Sequence, residues 1–263
     1  MTYTNRDHTF TVCAYKESRY LEECIQSLER QTVKTNIIIA TSTPNEHIRS
    51  LAEKYNLPVF INKGESGISG DWNFALSAAE TPLITIAHQD DIYESRYAEM
   101  MLKSVNSVKN PILFSCNYGE LRGDERVRSN SLLNIKKALR IPMRTFPYSI
   151  AARRMSLAFG DSICCPSVTY VKEIISRYPF SADYKADLDW QQWERLSKLH
   201  GSFAYCNEYL MYHRIHEESE TSHVIGDTGR GTEDYEMFLR FWPKPIAKLL
   251  AHRYADAEKS NET

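Results

Sequence analysis

The sequence predicts an α/β fold, a mostly parallel central sheet with helices on both faces. Over the first 120 residues, short apolar runs alternate with amphipathic ones, the pattern of strands separated by helices. Strands joined through helices pair in parallel and bury both sheet faces, so each reads as a nearly unbroken apolar run. With 263 residues, 42% of them hydrophobic and 11% aromatic, the chain has room for one large or two small domains around a sizeable core.

The elements follow in order. "FTVCAY" (10–15) is a buried strand, and "SRYLEECIQSLERQ" a helix with Leu21, Cys24, Ile25 and Leu28 at helical spacing. Ser18 is placed to cap that helix, and Glu22 and Glu23 lie in its first turn, where the helix dipole favours them. The alternation repeats as "NIIIA" (36–40), "NEHIRSLAEKYN", "LPVFIN" (57–62), "SGDWNFALSAAE", "PLITIA" (82–87), "SRYAEMMLKSVNSV" and "PILFSCNY" (111–118). Beyond residue 120 the rhythm changes. "SLLNIKKALRIPM" is amphipathic, "CCPSVTYVKEIISRY" predicts a helix after Pro166, and "ADLDWQQWERLSKLHG" a helix with Trp190, Trp193 and Leu196 inward and Gly201 as its stop. "SFAYC" and "EYLMYHRIH" predict two further strands, and the tail an amphipathic segment broken at Pro243 and Pro245.

Thirty-two Lys and Arg against 34 Asp and Glu give a net charge of -2, which excludes a chain built as a whole to seek nucleic acid. Charge asymmetry is local. Residues 126–160 carry Arg126, Arg128, Lys136, Lys137, Arg140, Arg144, Arg153 and Arg154 with no acid. Two readings stand: a surface for anionic lipid or a pyrophosphate-bearing acceptor, or a solvated helix packing its leucines on the core. The six scattered cysteines form no CxxC pair and are expected as reduced thiols in a cytoplasmic protein. Neither a signal peptide nor a run of 18 apolar residues is found, so export and membrane spanning are not expected.

Asp90 and Asp91 in "ITIAHQDDIYES" stand side by side at the carboxyl end of a predicted strand, the edge where open parallel sheets bind ligands. Adjacent carboxylates suit a hard divalent cation; alone, they equally suit the cap of the next helix. The order of the remaining motifs decides. "CAYKESRYLEECIQSLERQT", "NKGESGISGDWNFAL", "HQDD", "DLDWQQWERL" and "HRIHEESETS" together resemble the family 2 glycosyltransferases of GT-A fold, over residues 10 to about 222.

The resemblance implies a Rossmann-like sheet with a nucleotide-sugar-binding half (1–120), an acceptor-binding and base-bearing half (121–222) and a helical tail (223–263). It implies an inverting, metal-dependent transferase acting on a nucleoside-diphosphate sugar, with a glycan or lipid-linked acceptor in cell-surface polysaccharide synthesis. The enzyme would be cytoplasmic, with residues 126–154 approaching the inner face of the membrane. Tyr15, Glu17, Thr41, Asn73, His88, Asp90 and Arg214 would bind the donor, Asp91 and His216 a manganese or magnesium ion, and Asp189 would be the catalytic base, with Asp187 the neighbouring candidate. Asp187 and Asp189, two apart on a helix, diverge by about 200° and cannot both face one substrate. His8 and His213 are expected to have no part in the site, and Trp190 is a candidate to line the acceptor. Many family members carry an acidic turn after the second strand and an Asp at position 88; here Thr41, Ser42 and His88 stand there. A non-catalytic nucleotide-sugar-binding subunit and a metal-dependent phosphohydrolase are the alternative readings.

Overall fold

The computed structural model describes residues 2–64, 67–216 and 230–259, apart from the side chains of residues 230 and 256–259. Among these, nine strands form one sheet: β1 (His8–Ala14), β2 (Asn36–Thr41), β3 (Val59–Ile61), β4 (Leu83–His88), β5 (Ile92–Tyr93), β6 (Pro111–Arg122), β7 (Glu125–Val127), β8 (Thr169–Val171) and β9 (Ser202–Ile215). Their order is β3-β2-β1-β4-β8-β6-β9-β5, with β7 paired to β6. β1 to β4 run parallel, β6 and β9 are parallel to each other, and β8 lies antiparallel between β4 and β6. The mixed α/β architecture and mostly parallel sheet agree with the sequence prediction.

The helices are α1 (Leu21–Glu29), α2 (Glu46–Lys54), α3 (Ile68–Ala78), α4 (Tyr97–Asn106), α5 (Ser131–Leu139), α6 (Ile141–Thr145), α7 (Ile150–Leu157), α8 (Lys172–Arg177), α9 (Leu188–Ser197), α10 (Arg230–Leu239) and α11 (Lys244–Lys259). Local chemistry starts several of them. The side chains of Asn45, Asn130 and Ser149 accept the free first-turn N–H groups of Ile48, Leu133 and Ala152. Ser18 does not cap α1: Tyr20 is the N-cap residue, and the Ser18 hydroxyl takes the Tyr20 N–H instead. Burial then places the helices. Leu21, Ile25, Leu51, Met101 and Leu133 pack with Phe10 and Val12 in one core, and Leu76, Leu157, Trp190, Trp193 and Phe238 pack with Ile84 and Ile86 in another.

Five details depart from the sequence reading. Pro166 opens a 3-10 turn rather than a helix, and the three residues of β8 intervene before the short α8. The two strands expected at 202–216 are one 14-residue strand, whose polar Asn207 and Glu208 are absorbed by register shifts against Cys116 and Asn117. The boundary placed near residue 120 falls inside β6. Gly201 is the turn into β9 rather than the stop of α9: its φ is 144°, and a Cβ there would lie 2.5 Å from the Asn110 carbonyl. Trp190 is fully buried against Phe238 and donates its indole N–H to Leu157, so it lines no surface site.

The acid-free stretch is not a free cationic face. Arg126 and Arg128 pair with Glu94, Arg154 pairs with Glu194, and Arg140 and Arg153 are buried donors to the backbone of Cys116, Leu199 and Gly201. Arg144 donates to Asn207, and Lys137 lies over the Tyr209 ring. No described helix is long and apolar enough to cross a membrane.

Candidate active site

β1, β2 and β4 bring Ala14, Thr41 and His88 to one edge of the sheet, because Ala14 pairs with Thr41 and Cys13 with His88. Gln89 locks the first loop to the fourth strand: Tyr15 N–H donates to its Oε1 at 2.9 Å, and its Nε2 donates to the Tyr15 carbonyl at 3.0 Å. Tyr15 and Glu17 stand exposed on that loop. Thr41 is buried, and its hydroxyl shapes the following turn by accepting from Thr43 N–H.

The two carboxylates of the turn after β4 have different surroundings. Asp91 is fully buried, and its Oδ1 accepts from His213 Nδ1 at 3.0 Å and from the Arg214 N–H at 2.9 Å. Its Oδ2 has no hydrogen-bond partner, only His88 Nδ1 at 4.0 Å. Asp90 is partly open to solvent, and its Oδ2 meets His216 Nε2 at 2.9 Å. One ligand atom each from His88, Asp90 and Asp91 lies within 4.8 Å of the others. A buried carboxylate oxygen without a donor is costly, and two carboxylates with an imidazole at this spacing form a donor set that fits a hard or borderline divalent cation.

Electrostatics hold the group together. Burial alone would lower His213, but the Asp91 charge and hydrogen bond, with Asp90 beyond, push it up to about 9, so it is cationic at neutral pH. Burial lowers His88, opposed in part by Asp91 and Asp90, and leaves it neutral as a ligand must be. Burial would raise Asp90, yet the His216 hydrogen bond and the neighbouring histidines hold it below the usual carboxylate range. The His88 ring stacks on Trp72 at 5.3 Å between centroids, which fixes its plane.

Two residues expected to touch a donor make bracing contacts within the protein. Arg214 is buried; its Nε donates to the Asp90 carbonyl, its Nη2 to Glu23, and its guanidinium covers the Tyr20 ring, leaving it committed to holding the turn. Asn73 spans the backbone of Phe180, giving its amide to the carbonyl and accepting from the N–H, both at 2.9 Å. His216 meets Asp90 of the cation group, and the residues after it, Glu217 to Ser222 of the "HRIHEESETS" motif, lie outside the described residues.

Asp189, on the first turn of α9, is solvent-accessible, whereas Asp187 is buried. Of the two candidate bases, Asp189 is the more exposed. Sequence reasoning missed His213, which looked unremarkable on a strand and meets Asp91 Oδ1 at 3.0 Å.

The Glycosyl transferase family 2 sequence model matches residues 9–163. The Bacillus subtilis protein named "Putative glycosyltransferase EpsH" is 28% identical over 112 residues, 41% of this chain and 32% of that protein, so the match spans about a third of the relative's length. The mannosyltransferase PcManGT from Pyrobaculum calidifontis, solved with GDP-Man and Mn2+, superposes with a TM-score of 0.64 at 14% identity, over 97% of this chain and 70% of that one. S. aureus TarS 1-349 in complex with UDP-GlcNAc superposes at 0.63 with 13% identity, over 93% of this chain and 70% of that one. At such identities the likeness is one of fold, and that fold is GT-A.

Proposed function

The chain belongs to glycosyl transferase family 2, and from that premise we propose that it moves a sugar from a nucleoside diphosphate to a hydroxyl of a glycan or lipid-linked acceptor, with inversion and with a divalent cation. The observation that carries this reading is the convergence of His88, Asp90 and Asp91 at the carboxyl edge of the sheet. When bound, a manganese or magnesium ion neutralises the charge that grows on the diphosphate as its bond to the sugar breaks. His88, Asp90 and Asp91 hold the ion; His213 and Arg214 fix Asp91, and Arg214 the turn as well. Tyr15 and Glu17 meet the nucleoside end of the donor from the exposed loop. Asp189 takes the acceptor hydroxyl's proton as its oxygen attacks the anomeric carbon from the face opposite the leaving group. The donors carried by the two solved relatives support this class of substrate.

A membrane-held acceptor is supported by apolar rather than basic side chains. Ile135, Ile141, Phe146 and Tyr148, on and just after α5 and α6, are each more than half exposed. Phe146→Asp should weaken flotation with liposomes more than Lys137→Gln does; flotation indifferent to Phe146→Asp sinks this placement.

A thermal-shift panel of UDP-GlcNAc, UDP-glucose and GDP-mannose, each with and without manganese, tests the reading. One donor should raise the midpoint only with the metal, by the equivalent of about 2.7 kcal/mol at a hundred times its Kd. No stabilisation by any of them, or the same stabilisation without metal, counts against it. A stabilising donor that is never turned over by any acceptor points instead to a binding subunit.

A further inference from the structure

The carboxyl edge of the sheet continues beyond the cation group. β4, β1, β2 and β3 stand side by side and parallel, so the turns that leave them form one row, whereas β8, on the other flank of β4, is antiparallel and ends at the opposite edge. β2 lies two strand spacings from β4, about 10 Å along that row. A nucleoside diphosphate held by its phosphates at β4 and extended along the row sets its ribose over β1 and its base over β2. The turn after β2 has no acid of its own, since it reads Ser42, Thr43 and Pro44. α3 brings one there. Asp71, on the first turn of that helix, accepts from Ser42 Oγ at 2.9 Å through its Oδ2 and from Asn62 Nδ2 at 2.8 Å through its Oδ1. The fold sets both donors. Asn62 Oδ1 accepts the Gly64 N–H at 2.9 Å, which turns the amide nitrogen toward Asp71, and the Asn62 N–H donates to the Thr41 carbonyl at 2.8 Å. Next to Ser42, the Thr43 N–H donates to Thr41 Oγ1 at 3.0 Å and the Thr43 hydroxyl accepts the Lys16 N–H from the loop after β1. Ser42, Asn62 and Asp71 all stay partly open to solvent.

We propose that Asp71 determines the nucleobase of the donor and selects one that presents a ring N–H on its hydrogen-bonding edge, uracil or guanine. The inference rests on the nucleoside-diphosphate-sugar reading above. A carboxylate only accepts hydrogen bonds, and its two oxygens offer about four lone-pair positions. Ser42 and Asn62 take two of them and hold the plane of the group, so the acceptor is set before a ligand arrives. Both of these donors are uncharged, so a third N–H given to the carboxylate makes a charge-assisted bond. Uracil N3–H and guanine N1–H supply that hydrogen. Cytosine N3 and adenine N1 are acceptors, and each would set a lone pair against the carboxylate. The amino group of either base sits beside that ring nitrogen, so an N–H from it reaches one carboxylate oxygen only with the lone pair facing the other.

Isothermal titration calorimetry of the full chain with UDP, GDP, CDP and ADP, each with manganese, tests the assignment without turnover. The wild type should bind UDP or GDP about 30-fold more tightly than CDP and ADP, because an acceptor facing an acceptor leaves both unpaired. Whichever of the two leads tells uracil from guanine. Asp71→Asn keeps the shape of the side chain, and its amide offers a donor as well as an acceptor, so the ratio should fall to within about threefold. Asp71→Ala removes the carboxylate and adds no donor; it should weaken the favoured nucleotide about tenfold and leave CDP and ADP no weaker than before. Equal affinity of the wild type for all four nucleotides overturns the proposal. So does an equal loss for all four in both variants, which marks Asp71 as a brace of the turn after β2. Binding of none of the four by the folded wild type removes the donor reading itself, and this assignment with it.

Discussion

Replacing Glu194 by alanine should destabilise the fold by about 3 kcal/mol, and it should do so through α9, the helix that carries Asp189. The Glu194 carboxylate is fully buried and meets Arg154 at 2.5 Å, Lys198 at 2.7 Å and Arg240 at 3.2 Å. Breaking a buried ion pair costs about 3–5 kcal/mol, because the surviving charge is left uncompensated. Here the three cations are 26%, 54% and 31% exposed and recover part of their hydration, which selects the lower end of that range. At about 2.1 cal/mol/K per residue, 263 residues unfold with about 0.55 kcal/mol/K, so 3 kcal/mol lowers the midpoint by about 5 °C. Differential scanning calorimetry of Glu194→Ala and Glu194→Gln at pH 7 measures it. The pH dependence has a fixed sign: burial would raise Glu194, but its hydrogen bonds to Lys198 and Arg154 and their charges hold it below the ordinary glutamate value. Its stabilisation is therefore present above the unfolded-state pKa of about 4.3 and is lost as pH falls through the lower folded value. A midpoint within about 1 °C of the wild type at pH 7, or a difference that grows on acidification, refutes the reasoning.

Three further outcomes follow from the site. Asp90→Ala and Asp91→Ala should each abolish manganese-dependent nucleotide binding in calorimetry, and Asp91→Ala should also lower the midpoint because His213 and Arg214 lose their anchor; unchanged affinity in both variants removes the cation assignment. Asp189→Asn should bind the donor as the wild type does and slow transfer by about 10² to 10⁴, and retained turnover moves the base elsewhere. Lys136→Met should shift the acidic limb of the pH–rate profile upward, because the Lys136 ammonium lowers the carboxyl of Asp189, the proposed base; an unmoved limb separates the lysine from the base.

The first strands and their helices were legible because β1, β4 and most of β2 are buried on both faces and each helix on one, so hydrophobic period told them apart; β3 is largely exposed and was read from its apolar composition. β8 was not. Its three residues, Thr169–Val171, sit between a proline turn and a helix, and their strand character comes from neighbours β4 and β6, far away in the chain. β9 was split in two because Asn207 and Glu208 look like a turn; only the partner strand reveals a shift of register. At the site, Asp90 and Asp91 could be read from the sequence as standing at the end of a strand, where the structure brings them together with His88. What Arg214 and Asn73 do could not, since their partners Glu23 and Phe180 are set by tertiary contact. The acid-free stretch left two readings open for the same reason: its counter-charges, Glu94 and Glu194, come from other segments.

β8 also bears on how such a chain can be altered. The excursion between β6 and β9 carries Lys136, Asp161 and Asp189, and at first sight it is a detachable cassette for retargeting the acceptor. It is not, because it contributes a strand to the middle of the sheet, between β4 and β6, and removing it would expose the unpaired edges of both. Under the proposed function, exchange of acceptor preference would therefore proceed by substitution on the surfaces of α5 to α7. Wholesale transplantation would dismantle the platform on which the donor side is built.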